Sequence, residues 1–167
     1  MSNFDIFRAR FKGDIVTPYD AGYQNALSRW AANSVRNAAV IAFVSDVKDV
    51  ALAVGHARAS GMNVTIRGGG CSDDSSSEGG LVIDLSRCFN NVRIDPGLRL
   101  AYVQGGASCR TVDYAAARSG LATVTSTVNH VRSAFIIPHC ILPLTWTSGR
   151  YWRVSTSSIL PSHSVIT

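Results

Sequence analysis

The densest chemical signal in the chain is residues 67–72, Arg67-Gly68-Gly69-Gly70-Cys71-Ser72. Each glycine costs conformational entropy on ordering, so three in a row inside an ordered loop need a reason. Without Cβ atoms a backbone comes close to a ligand, and successive N–H groups converge on one anion as a nest. Ser72 adds a hydroxyl donor, and Arg67 either adds charge or braces the loop from behind. The competing interpretation is a flexible surface loop, because residues 68–77 (GGGCSDDSSS) also have the composition of a linker. The loop alone does not decide between them. It matches neither the G-x-G-x-x-G fingerprint nor the G-x-x-x-x-G-K-[ST] loop. The next expected element is a strand, so an anion held here would not rest on a helix N-terminus.

Other reactive side chains are sparse. The four cysteines, Cys71, Cys88, Cys109 and Cys140, have no metal-ligand spacing, and no metal site is expected. The N-terminus lacks an apolar run followed by a small-residue cleavage site, so reduced thiols and a cytoplasmic location are expected. The net charge is +5, but only Lys12 and Lys48 are lysines and no basic cluster occurs, which argues against nucleic acid as a partner. No apolar stretch reaches membrane-spanning length, so no membrane partner is expected.

The elements that must position the loop follow from periodicity. Tyr23, Leu27 and Trp30 make one apolar stripe, which predicts a helix over 20–35. The run 39–44 suits a buried strand. Ser45 and Asp46 mark a helix start with Ser45 as N-cap, and Gly61 marks that helix's end. Strands follow at 63–67 and 81–85, so the order strand, helix, strand predicts a βαβ unit with parallel pairing. Residues 92–95 and 99–104 flank a Pro96-Gly97 turn and predict an antiparallel pair. A helix from Thr111 to Ser119, closed by Gly120, and an extended stretch over 121–130 complete an α+β pattern.

On these segments the chain resembles a known family. Arg67-Gly-Gly-Gly70 with Ser72, then Glu78-Gly-Gly-Leu-Val-Ile-Asp-Leu-Ser-Arg87, is similar to the FAD-binding domain of the vanillyl-alcohol-oxidase/berberine-bridge-enzyme type, the PCMH-type domain. The likeness extends in order through residues 13–20, 45–50, 92–96, 100–106, 120–123 and Thr127-Val128-Asn129-His130, covering about residues 10–130. It implies that Gly68, Gly69, Gly70, Cys71 and Ser72, with Arg67, hold the FAD diphosphate. It also implies that Thr127, Val128, Asn129 and His130 form a second wall along the flavin. The implied chemistry is hydride transfer from a substrate to flavin, with reoxidation by O₂. Many members carry a flavin-linked histidine where this chain has Cys71. A thioether from Cys71 is conceivable, and noncovalent FAD is the expectation.

The chain departs from the family in three places. Asp73 and Asp74 stand where small neutral residues are usual, and Thr125-Ser126 replace glycines. From Val131 the family's second glycine-rich stretch has no counterpart. The last 37 residues hold no Asp, Glu or Lys and sustain no periodicity. Residues 1–130 are therefore expected to form the N-terminal part of the flavin-binding domain, and 131–167 a non-family, poorly ordered tail from a retained intron or shifted frame. Val131-Arg132 is compatible with a splice donor. The function implied is an FAD-linked oxidoreductase present as a truncated chain, with no catalytic residue assigned. The alternative is a noncatalytic nucleotide-binding or inactive fragment.

Overall fold

Helix α1 (Asn3–Arg10) opens on a capping box. The Asp5 N–H donates to Ser2 Oγ, and the Ser2 N–H donates to the Asp5 carboxylate. Asp5 in the first turn and Arg8 and Arg10 in the last oppose the helix dipole favourably. The computed structural model describes residues 2–29, 35–71, 73–123, 128–132, 139–146 and 152–154, and α1 is a helix that sequence periodicity does not predict.

The first sheet comprises β1 (Asp14–Val16), β2 (Val40–Phe43), β3 (Val64–Arg67) and β4 (Leu81–Asp84), in the order β1-β2-β4-β3. Strands β2 and β3 both run parallel to β4, and β1 runs antiparallel to β2. The expected parallel relation thus holds, with β4 inserted between the two strands of the βαβ unit. All four residues of β2 and of β4 are buried, as continuous apolar runs require of central parallel strands. Edge strand β3 instead leaves Val64 and Ile66 exposed.

Between β2 and β3 runs helix α3 (Val47–Ala59). The predicted N-cap is shifted by one residue: Asp46 caps, accepting from the Asp49 N–H. Ser45 instead donates its N–H and hydroxyl to the Asp49 carboxylate, which is buried and needs those donors more than the helix end does. Asp49 also accepts from the Lys12 and Gly13 N–H groups at 3.0 and 3.1 Å. Burial alone would raise its pKa; the donors from Lys12, Ser45 and Gly13 outweigh that and hold it below the usual carboxylate range. Gly61, at φ +64°, follows the helix as expected. Of the helix predicted over 20–35, the described part is short: α2 (Tyr23–Leu27) ends at Ser28, and Trp30 lies outside the described residues.

The second sheet holds β5 (Val92–Asp95), β6 (Leu100–Val103), β7 (Leu121–Thr123), β8 (His139–Trp146) and β9 (Trp152–Val154). Strands β5 and β6 pair antiparallel across the Pro-Gly turn, as their alternation predicts. Helix α4 (Cys109–Ala117), capped by Ser108, starts two residues earlier than the Thr111 expected and ends before Gly120 at φ +67°. Strand β8 pairs antiparallel with both β6 and β7, and β9 with β8. No side-chain periodicity announced these pairings, since a ladder needs only backbone N–H and C=O groups. The α+β class read from the sequence is the observed one. No helix among the described residues is long and apolar enough to cross a membrane.

Candidate functional site

Parallel strands β2, β4 and β3 end in register at Phe43, Asp84 and Arg67. In open sheets of this kind ligands bind beyond the carboxyl ends of the strands. Here that end carries a cleft of about 370 Å³ whose lining includes Arg67, Gly68, Gly69, Asp84, Arg87 and Arg132.

The floor of the cleft is a buried ion pair. Arg67 Nε donates to Asp84 Oδ2, and Arg67 Nη2 donates to the Ala26 carbonyl at 2.7 Å. Asp84 is completed by the Ser86 N–H at 2.7 Å. The Arg67 guanidinium is thus committed inward, to the sheet and to α2. Of the two roles open to it from sequence, this geometry is that of a brace. It fixes the last residue of β3 and hence where the glycine run begins.

From that anchor the chain turns through Gly68, Gly69 and Gly70, of which Gly68 and Gly70 are buried and Gly69 is exposed. Gly70 has φ +71°, a left-handed conformation that disfavours any other residue. A Cβ on Gly69 would stand 3.2 Å from Arg132 Cβ, so glycine there lets Arg132 approach the loop closely. Cys71 is exposed, with its thiol 4.0 Å from the Gly69 carbonyl. Ser72 lies outside the described residues. Asp73 to Ser75 form a single 3₁₀ turn, with Asp74 exposed.

The described part of the second predicted wall lies against helix α4. Thr127 lies outside the described residues; Val128, Asn129 and His130 are exposed. Their backbone docks on the start of α4, where the Cys109 N–H donates to the Val131 carbonyl and the Arg110 N–H to the Asn129 carbonyl. Two orphan donors of the helix end are satisfied this way. The docking aims Arg132 at the loop: its backbone bridges to Ser108, its side chain lies against Gly69, and Nη1 donates to the Ser86 carbonyl. Arg87 also lines the cleft, with Cζ 3.5 Å from the Phe43 ring centroid and Nη1 2.6 Å from Asp14.

A backbone glycine cradle in a cleft lined by arginines fits a diphosphate-bearing ligand in shape and charge. Sequence reasoning missed Asp84, Arg87 and Arg132. For Asp84 a signal existed: an acid inside the apolar run Leu81-Val-Ile-Asp-Leu85 implies a buried partner. Arg132 carried no such signal, since no motif or periodicity in the sequence around it marks a site.

Comparison with known proteins agrees with this architecture. A family profile described as an FAD binding domain matches residues 38–132. The chain is similar to (R)-6-hydroxynicotine oxidase of Paenarthrobacter nicotinovorans, with 30% identity over 116 residues, 68% of this chain and 25% of that protein. It is also similar to FAD-linked oxidoreductase hasG of Aspergillus fumigatus, 30% identical over 129 residues, 76% of this chain and 27% of that protein. The chain thus spans about a quarter of the length of these curated relatives. Among solved structures, 6-hydroxy-D-nicotine oxidase from Arthrobacter nicotinovorans matches with a TM-score of 0.69 at 29% identity, covering 74% of this chain and 27% of that one. Wild-type BBE-like 1 of Physcomitrella patens shares the fold with a TM-score of 0.69 at 21% identity, over 77% of this chain and 28% of that one.

Proposed function

The chain belongs to the FAD binding domain family, and on that premise we propose that it binds FAD noncovalently as the diphosphate-holding part of an FAD-linked oxidoreductase. The carrying observation is the glycine turn, anchored by the buried Arg67–Asp84 pair at the carboxyl end of the parallel strands. In this reading the backbone N–H groups of Gly68, Gly69, Gly70 and Cys71 point at the diphosphate. Ser72 adds its hydroxyl, and Arg67 holds the turn in place. Thr127, Val128, Asn129 and His130 run along the flavin as the opposite wall. Bound there, FAD would accept a hydride from a substrate and pass the electrons on to O₂. The chain's own residues bind and orient; none of them is assigned a catalytic role.

Cys71 is exposed at the position where relatives of the berberine-bridge-enzyme type often carry a flavin-linked histidine. In this reading Cys71 stays unlinked beside a reversibly held cofactor. The test is reconstitution. The purified chain, incubated with FAD and desalted, is expected to retain flavin absorbance in the visible. After denaturation that colour is expected to leave with the small-molecule fraction, and the protein band on a denaturing gel to be non-fluorescent. A colourless desalted protein would contradict FAD binding; a fluorescent band would contradict only the noncovalent attachment.

A further inference from the structure

The charges around the cleft do not balance among themselves. Arg67 is neutralised by Asp84 in a buried pair, and Arg87 faces Asp14 in an exposed one. Arg132 has no carboxylate partner among the described residues; its one hydrogen bond there goes to a neutral carbonyl, that of Ser86. Its side chain nonetheless lies directly on the glycine turn, with Cβ and Cγ 3.2 and 3.4 Å from where a Gly69 Cβ would be. Arg132 is held in place from outside the cleft as well, by its bridge to Ser108 and by the seating of residues 129–131 on α4. A guanidinium offers five N–H donors in a fixed fork, and the Ser86 carbonyl takes only one of them.

From this arrangement we propose that Arg132 is the anion-binding side chain of the cleft. It pairs with a diphosphate held at the glycine turn, and Arg87, which faces Asp14, adds a weaker charge. The inference rests on the FAD reading for the location of the ligand, and goes beyond it in naming a residue outside the glycine loop as the charge that selects a diphosphate. A backbone nest supplies partial charges only. A positioned guanidinium supplies a full charge and bidentate geometry, so the two walls together favour a ligand with two adjacent phosphates over one with a single phosphate. The adenosine diphosphate half of the cofactor is therefore expected to bind without the flavin.

The test is calorimetric titration of the full chain with ADP, with AMP and with FAD, at two salt concentrations. Wild type is expected to bind ADP and FAD, AMP more weakly, and all less tightly at high salt. Arg132→Ala is expected to weaken ADP about tenfold or more, the effect of losing one charged hydrogen-bonding partner. Arg132→Lys keeps the charge without the fork and should fall between the two. Arg58→Ala, which removes an exposed charge on α3, serves as the net-charge control and should bind like wild type. Thermal melts without ligand separate binding from folding; if Arg132→Ala melts early, Arg132→Lys carries the comparison. ADP binding by Arg132→Ala as tight as wild type, with FAD still bound, would overturn this inference and leave the FAD reading standing. Failure of wild type to bind either FAD or ADP would overturn both.

Discussion

Strands β2 and β4 of the first sheet are buried more deeply than the hairpin β5–β6 of the second. In the first sheet every residue of β2 and β4 is buried, and Val40, Ala42, Leu81 and Ile83 share one cluster with Phe7, Phe11, Ala53 and Ala57. A second cluster covers the other face through Tyr23, Leu27, Ile41 and Val82. Among the described side chains of the second sheet, β5 has no fully buried residue and β6 only Ala101, which clusters with Ala116 and Leu121. The parallel layer is therefore a stable platform, and the antiparallel layer is a wall leaning against it. The site draws on both. Its glycine cradle is rooted in the platform, and Arg132 comes from the segment that docks the wall's helix.

That contrast breaks most severely at Arg67. Arg67→Ala strands Asp84 as a buried, unpaired carboxylate, and should cost about 3–5 kcal/mol in chemical denaturation. Replacing both partners together, Arg67→Met with Asp84→Leu, should recover much of that stability while leaving the glycine turn without its brace. Recovery of stability without recovery of FAD binding would separate the platform's two tasks. Asp49→Ala comes next, at about 2–3 kcal/mol, because it leaves the Lys12, Gly13 and Ser45 N–H groups without their acceptor. Gly13 is packed so closely on the Phe43 carbonyl that no Cβ fits there.

Hydrogen exchange sharpens the comparison without mutation. Amides of Ile41 and Val82 should exchange only on global unfolding, and those of Arg93 and Tyr102 through smaller openings. Equal protection in the two sheets would contradict the platform-and-wall description.

The mildest effect concerns His56, buried against Phe7 with ring centroids 4.5 Å apart and with no hydrogen-bond partner at either ring nitrogen. Burial lowers its pKa below the ordinary 6.5. The unfolded chain therefore binds this proton more readily than the folded one. His56 imposes no penalty above pH 6.5, and stability declines as the pH falls below that value, by at most about 1.4 kcal/mol per pH unit. His56→Phe should flatten that part of the acid limb in denaturation measured between pH 7 and 5. An unchanged limb would mean that other groups carry it.

Legibility in the sequence follows the same division. The parallel layer was readable because buried central strands are continuous apolar runs, and Gly61 and Gly120 punctuate the helices at positive φ. The β5–β6 hairpin was readable from its turn and alternation. Helix α1 was missed because its face is barely amphipathic and its capping box is a local hydrogen-bond pattern. The N-cap of α3 was misplaced because Ser45 and Asp46 are both competent caps, and only the tertiary demand of Asp49 decides between them. Strand β8 was not foreseeable, since its pairing with β6 and β7 is carried by the backbone. At the site the cradle was visible as three glycines. Its charge was not, because Arg87 and Arg132 lie far from Gly69 in sequence and meet it only through the fold.

The most direct measurement of the central claim is titration of flavin fluorescence with the chain, comparing wild type with Gly70→Val. Valine at φ +71° is strained, so the substitution should distort the turn proposed to hold the diphosphate. Saturable quenching by wild type, lost in a Gly70→Val protein that still melts cooperatively, is the predicted result. Quenching of equal affinity in both proteins would contradict the assignment of the diphosphate to this loop.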